Sequence, residues 1–126
     1  LDMHESWAFY AEYPPNSGTG ALGQTITAGP GPKQADFAQR MAAIANLQAS
    51  QREQFIVRDG TRLGAPTSTP AAGQANRGRS SLAAGAAVSG LTPILVEMGQ
   101  EDQSLERRIA LHLVTARAVL ELEGLV

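Results

Sequence analysis

Two polar residues near opposite ends of the chain, His4 and Glu97, each follow a short apolar segment. His4 comes after Leu1-Asp2-Met3, and Glu97 comes after the apolar run Pro93-Ile94-Leu95-Val96. In open α/β sheets, ligands and reacting groups gather at the carboxyl ends of strands, so both side chains are predicted to face one cleft. A neutral imidazole is a common metal ligand, and a carboxylate beside a metal-bound water is a natural general base. His4 is therefore a candidate metal ligand and Glu97 a candidate general base, although a histidine at a strand end is often only a polar residue with its hydrogen bonds satisfied.

Three residues beside His4 are interpreted from the alternation of a strand. Asp2 and His4 share one face of an extended strand, because side chains two residues apart point the same way. A metal-bound histidine needs an acceptor for its other ring nitrogen, and Asp2 or a backbone carbonyl could supply one. Glu5 points away from His4 and is interpreted as structural. Ser6 is expected in a turn or cap rather than in the site.

Other candidate residues have simpler interpretations. Tyr10 and Tyr13 could line a substrate pocket, although such aromatic residues more often form a packed surface cluster. Arg77 and Arg79 could bind a substrate carboxylate bidentately, but a solvated loop is the favoured interpretation. His112 is expected to be a partly buried helix residue.

Composition limits the classes of function. The 126 residues correspond to one domain with a substantial core. The net charge of -2, from ten basic and twelve acidic residues, gives no electrostatic reason to expect a nucleic-acid partner. No apolar run approaches the ~20 residues that cross a bilayer, and the absence of cysteine excludes thiolate metal sites. We expect no membrane partner and favour a cytoplasmic location.

The pattern of the chain predicts alternating strands and helices. Strands are expected at residues 1–3, 24–28, 54–58 and 91–96, and helices at residues 33–50, 80–89 and 104–122. Residues 61–79 are predicted to be a long loop. The continuous apolar run before Glu97 favours a strand buried on both faces of a parallel or mixed sheet. This order of elements predicts an α/β fold.

Two of the predicted helices have an apolar stripe. In the helix at residues 33–50, the stripe comprises Phe37, Met41, Ile44 and Ala45. In the last helix, Ser104 is the expected N-cap and Gly124 the expected residue after the C-cap. The face of the last helix predicted to meet the core comprises Leu105, Ile109, Leu113, Ala116 and Leu120.

The two polar positions also carry a resemblance to a known family. Asp2-Met3-His4-Glu5 resembles the Asp-Leu-His-Glu segment with the third zinc ligand in the succinylglutamate desuccinylase/aspartoacylase branch of the zinc carboxypeptidase superfamily. Residues 90–99 resemble its later strand, Gly-apolar-Pro-apolar-apolar-apolar-Glu-x-Gly, whose glutamate activates the zinc-bound water. The helix at 104–122 and the ending Gly124-Leu125-Val126 are similar to the helix and the Leu-Gly-apolar ending that come after this strand in the family. The middle of the chain matches only in the order of its elements.

The resemblance implies a zinc-carboxypeptidase-like mixed sheet flanked by helices. It further implies zinc as cofactor and a small-molecule or peptide substrate whose amide bond is hydrolysed, by a carboxypeptidase or an acyl-amino-acid deacylase. The family's His-x-x-Glu ligand pair and its Asn-Arg pair are absent from this sequence. We therefore expect residues 1–126 to be one partial catalytic domain whose amino-terminal portion is missing. Alone it should be inactive and should hold no tight zinc.

Two other classes of function compete with this hypothesis. The first is a non-catalytic α/β module that binds a ligand or a partner, in which Glu97 makes a structural hydrogen bond. The second is a hydrolase of another kind. A cysteine nucleophile is excluded by composition, and the sequence has no Gly-x-Ser-x-Gly elbow for a serine nucleophile.

Overall fold

The computed structural model describes residues 1–6, 23–29, 31–59 and 91–126. Several predictions fall outside these residues: the loop at 61–79, the helix at 80–89, and the roles of Tyr10, Tyr13, Arg77 and Arg79. Within the described ranges, no helix combines the length and the apolar character that a membrane span requires.

The described strands form one mixed sheet, as predicted. In chain order they are β1 (Asp2–Ser6), β2 (Thr25–Ala28), β3 (Ile56–Asp59) and β4 (Ile94–Gly99). Their order across the sheet is β1-β4-β2-β3. The pairs β1–β4 and β2–β3 are parallel, whereas β2 and β4 are antiparallel. With two helices beside the sheet, the fold is mixed α/β.

β1 and β4 each end three residues later than predicted. β1 continues through Ser6 and β4 through Gly99, and these two end residues pair with each other. Backbone hydrogen bonds do not depend on side-chain polarity, so the pairing continues through the polar residues. His4 and Glu97 consequently lie inside paired strands and not beyond their ends.

Both described helices pack on the same face of the sheet. They are α1 (Pro32–Asn46) and α2 (Leu105–Leu122). Alternate residues of β4, Val96 and Met98, are fully buried in the core that the helices cover. The buried apolar residues of this core are Ile26, Ala28, Ala38, Met41, Ala42, Ala45, Phe55, Ile94, Val96, Met98, Leu111 and Ala118.

Pro32 and Asn46 mark the two ends of α1. Pro32 opens the helix, where a missing N–H costs nothing. At the other end, the Asn46 side chain exchanges two hydrogen bonds with the backbone of Phe55, at 2.7 and 3.0 Å. The predicted stripe is confirmed, because Met41 and Ala45 are buried and Phe37 and Ile44 pack against the core.

The predicted ends of α2 are confirmed. The Ser104 side chain accepts a hydrogen bond from the backbone N–H of Arg107 at 3.2 Å. At the other end, Gly124 has a φ of 70°, a left-handed conformation that favours glycine. The N–H groups of Gly124 and Leu125 donate to the carbonyls of Glu121 and Leu120, which together form a Schellman cap.

The predicted core face of α2 is wrong. Leu105, Ile109, Leu113 and Leu120 are 41–65% exposed, whereas Leu111, Thr115 and Ala118 are buried. Apolar residues occupy most of the circumference of this helix, so their spacing alone does not select a face. They are Leu105, Ile109, Ala110, Leu111, Leu113, Val114, Ala116, Ala118, Val119, Leu120 and Leu122. In the observed orientation Arg107 pairs with Glu53 and Arg108 pairs with Glu5, one on each flank of the buried face.

The pair between Glu53 and Arg107 should make stability depend on pH. Arg107 Nε donates to Glu53 Oε1 at 2.8 Å and its Nη2 donates to Oε2, a bidentate arrangement. These bonds lower the pKa of Glu53 from 4.5 to about 2, although burial acts in the opposite direction. A lowered pKa in the folded state stabilises the fold above about pH 4.5, and that stabilisation is lost as the pH falls toward 2.

We therefore expect Glu53→Gln to reduce the free energy of unfolding at pH 7 by about 1–2 kcal/mol, less than the full shift would give, because solvent screens a pair whose arginine is 37% exposed. Urea unfolding at pH 7 and pH 3 measures this, and the variant should lose most of its difference from wild type at the lower pH. Glu121→Gln is the matched control, since Glu121 pairs with Arg117 on the exposed side of α2 and should change stability by less than about 0.5 kcal/mol. Equal losses in the two variants would contradict this assignment.

Candidate functional site

The sheet face away from α1 and α2 carries His4 and Glu97, and we call it the distal face. It is defined by the side chains that alternate with the core residues of each strand. β4 lies between β1 and β2, and its Glu97 pairs with His4 on one side and with Thr25 on the other. These three residues form one row across three strands. The neighbouring row, one step along the strands, contains Asp2, Leu95, Thr27 and Arg58.

The two ring nitrogens of His4 face different carboxylates. Nε2 lies 3.0 Å from Oδ1 of Asp2, which is hydrogen-bonding distance. Nδ1 lies 3.9 Å from Oε1 of Glu97, which is longer than a hydrogen bond. The sequence predicted that Asp2 and His4 share a face of their strand and that His4 and Glu97 face one cleft. The strand register places all three side chains on the distal face. Their roles in binding a metal and moving a proton stay predictions.

Glu97 and His4 differ in exposure. The Glu97 side chain is 11% exposed, whereas that of His4 is 56% exposed. Burial raises the pKa of Glu97; the nearby His4 lowers it and Asp2 raises it further. A raised pKa makes this carboxylate a stronger proton acceptor once it is ionised. The distal face therefore places a basic carboxylate beside an accessible imidazole.

Two threonines on the distal face are not among the site residues predicted from the sequence. Thr25 and Thr27 are both fully buried, and neither Oγ1 has a hydrogen-bond partner among the described residues. The alternation Thr25-Ile26-Thr27 is a signal that places both hydroxyls opposite the core residue Ile26. Their proximity to Glu97 depends on the pairing of β2 with β4, which no local pattern predicts.

Glu5 lies on the opposite face of β1 from His4, as its interpretation as a structural residue requires. It forms an ion pair with Arg108 and accepts a hydrogen bond from Gln100 Nε2 at 2.8 Å. His112 is half-buried on α2, in agreement with the sequence interpretation. Burial lowers its pKa, and its Nδ1 has no hydrogen-bond partner within the described ranges. Of Ser6, the structure describes only its place as the last residue of β1.

The side chains of the distal face fit part of a zinc site. Nε2 of His4 lies 3.0 Å from Oδ1 of Asp2, which leaves Nδ1 facing the Glu97 carboxylate at 3.9 Å. Catalytic zinc takes three protein ligands and keeps a position for water. In the described part of the chain, no group of three or more histidine, cysteine, aspartate or glutamate residues is arranged to hold a metal ion. The distal face can thus supply one ligand and one base.

Comparisons with known proteins found no relative of this chain. No protein-family model matches the chain, and searches of curated proteins and of solved structures give no match.

Proposed function

We propose that this chain carries part of a zinc-dependent site that hydrolyses an amide bond, as a carboxypeptidase or as a deacylase of acylated amino acids. His4 would be a metal ligand, Glu97 the general base, and Asp2 the residue that orients His4. One observation carries the proposal: one ring nitrogen of His4 lies 3.0 Å from a carboxylate oxygen of Asp2, and the other faces Glu97 at 3.9 Å. The sequence resemblance to the succinylglutamate desuccinylase/aspartoacylase branch supports the same roles.

The contact with Asp2 has a chemical consequence for His4. A carboxylate that accepts the Nε2 proton favours the neutral tautomer whose lone pair is on Nδ1. Nδ1 is the nitrogen that faces Glu97. Asp2 would therefore both fix the ring and direct its ligand atom toward the base.

Glu97 would move the proton. Zinc, when bound, lowers the pKa of its water to ~7. The Oε1 atom of Glu97, which already faces His4, would accept the proton of the attacking water and return it to the leaving nitrogen. Its burial would exclude competing solvent from that transfer.

The remaining ligands would come from further polypeptide, as the resemblance to a family with an upstream His-x-x-Glu pair implies. A single imidazole does not bind zinc tightly, because affinity comes from several preorganised donors. On this proposal the isolated chain of 126 residues loses zinc on dialysis. Stoichiometric zinc in the dialysed chain would contradict the proposal that the other zinc ligands come from further polypeptide.

The test uses the longest polypeptide of the reading frame that contains this chain. Zinc is measured by mass spectrometry after dialysis, and amide hydrolysis is screened with peptides and acylated amino acids. His112→Ala is the matched control for His4→Ala, since these are the two histidines of the chain. We expect one zinc per wild-type or His112→Ala polypeptide and at least a tenfold weaker affinity in His4→Ala. Equal zinc affinity in all three proteins would remove His4 from the site.

A ligand-binding module without catalysis is the second candidate function. The incomplete set of metal-ligating side chains in the described ranges favours it. It predicts that the complete polypeptide has neither bound zinc nor amidase activity.

A further inference from the structure

Four large apolar side chains form a line along the outer side of α2. They are 41–65% exposed, and we call them the exposed stripe: Leu105, Ile109, Leu113 and Leu120. At 3.6 residues per turn they fall within about 80° of the helix circumference, roughly 150° from the buried residues of the same helix. Single exposed apolar residues are common, but a contiguous line of them marks a surface that binds another molecule.

The spacing of the exposed stripe suits a second helix. Gaps of four, three and four residues are typical of the seam at which two helices pack side by side, and they separate Ile109, Leu113, Ala116 and Leu120. Leu105 extends the line by one more turn. The whole stripe is about 22 Å long at the rise of an α-helix. It therefore offers a seam of about four turns to a helix of similar length.

We propose that the exposed stripe binds the same stripe of a second copy of this chain, with the two α2 helices antiparallel. Two copies related by a two-fold axis present the same surface to each other, so each contact occurs twice. An axis beside Leu113 places Leu105 opposite Leu120 of the second copy. The same axis places Ile109 opposite the smaller Ala116, so all the members of the seam find apolar partners.

Charges beside the stripe favour a second copy in this orientation. Glu106 and Arg117 are exposed and lie on the same flank of the stripe, 11 residues apart. In the antiparallel pair, Glu106 of each copy lies within one turn of Arg117 of the other, so opposite charges meet twice. In a parallel pair the two residues are displaced by about 16 Å along the helix axis. Arg117 Nε donates to Glu121 of its own helix at 2.8 Å, and its other N–H groups remain to bind a second carboxylate.

The small size of this interface makes the association weak. One pair of four-turn helices buries less than the roughly 1,200 Å² at which stable interfaces begin. We expect a dissociation constant on the order of 10–100 µM. At about 1 µM the chain is then monomeric, so stability measurements at that concentration report on a stripe that is exposed.

The inference goes beyond the proposed function and does not depend on it. α2 packs on one face of the sheet, whereas His4 and Glu97 lie on the distal face. Pairing through the outer side of α2 therefore leaves the candidate site uncovered. Zinc content and turnover test the hydrolase, and the mass in solution tests the dimer.

Sedimentation of the full chain from about 1 to about 500 µM tests the dimer, and we expect the mass to rise from that of one copy toward that of two. Leu113→Asp places two carboxylates beside the axis and should raise the dissociation constant at least about tenfold. Leu47→Asp is the matched control, because Leu47 is 85% exposed at the end of α1 and lies off the stripe. It should self-associate as wild type does. A wild-type chain that stays monomeric throughout, or a dimer that Leu113→Asp leaves unchanged, would overturn the proposal.

A charge exchange tests the antiparallel orientation. Glu106→Lys and Arg117→Glu should each raise the dissociation constant by about three- to tenfold, because each leaves like charges facing across the interface. The double variant Glu106→Lys/Arg117→Glu should return to within about threefold of wild type, since opposite charges face each other again. The two positions are about 16 Å apart within one helix, so this recovery requires contact between copies. Losses that simply add in the double variant would contradict the antiparallel pair.

A longer polypeptide of the reading frame tests the competing occupant of the stripe, a further segment of the same chain. If such a segment covers α2, the longer polypeptide stays monomeric at about 500 µM, and Leu113→Asp lowers its urea midpoint. That result would overturn the proposal. A dimer of the longer polypeptide that Leu113→Asp dissociates without lowering the urea midpoint at about 1 µM would support it.

Discussion

In the polypeptide that carries the complete site, Glu97→Gln is expected to bind zinc as wild type does while amide hydrolysis falls by about 10²–10⁴-fold. The amide of glutamine has nearly the shape of the carboxylate but cannot accept the proton of the attacking water. Zinc binding and turnover should respond separately to this substitution, because Glu97 lies beside His4 but is not the carboxylate next to His4 Nε2. Steady-state kinetics and metal analysis on the same preparations measure both quantities.

Glu5→Gln is the control for the loss of a carboxylate near His4. Glu5 is adjacent to His4 in β1 but lies on the opposite face, where it pairs with Arg108. This variant should keep turnover within about threefold of wild type. Unchanged turnover in Glu97→Gln would end the assignment.

The second large effect concerns the core face of α2. Leu111→Ala should reduce the free energy of unfolding by about 2–5 kcal/mol, since Leu111 is fully buried and its truncation leaves a cavity. Leu113→Ala, two residues along the same helix, should change it by less than about 0.5 kcal/mol, because Leu113 is 65% exposed.

Chemical denaturation of the two variants decides which stripe meets the sheet. The observed packing makes Leu111 the costly substitution, whereas the face predicted from spacing would make Leu113 the costly one. Comparable losses in both variants would mean that the exposed stripe of α2 is also covered in solution.

The two helices show when the local sequence pattern is enough to predict the buried face of a helix. The apolar spacing of Phe37 and Met41 predicts the buried face of α1, because polar residues occupy its other side. The same method fails on α2, since apolar residues there surround most of the helix. Its orientation depends on contacts with distant parts of the chain, among them the ion pairs of Arg107 with Glu53 and of Arg108 with Glu5.

Some residues of the candidate site were likewise predictable from local sequence, and others were not. Residue type and alternation were enough to select Asp2, His4 and Glu97 and to expect one shared face. The position of Thr25 beside Glu97 was not predictable, because it depends on the register between β2 and β4. Register is set by the burial of whole strands and not by either segment alone.

The pairing of β1 with β4 joins parts of the chain that are far apart in sequence. Bringing residue 4 next to residue 97 closes a segment of roughly 90 residues, at an entropic cost of about 4 kcal/mol by chain-length scaling. Such contacts of high sequence separation slow folding, because the chain must be ordered before they form. We therefore expect β2, α1 and β3 to associate early and His4 to reach Glu97 late. In hydrogen exchange, the amides of β1 should open more readily than those of β2.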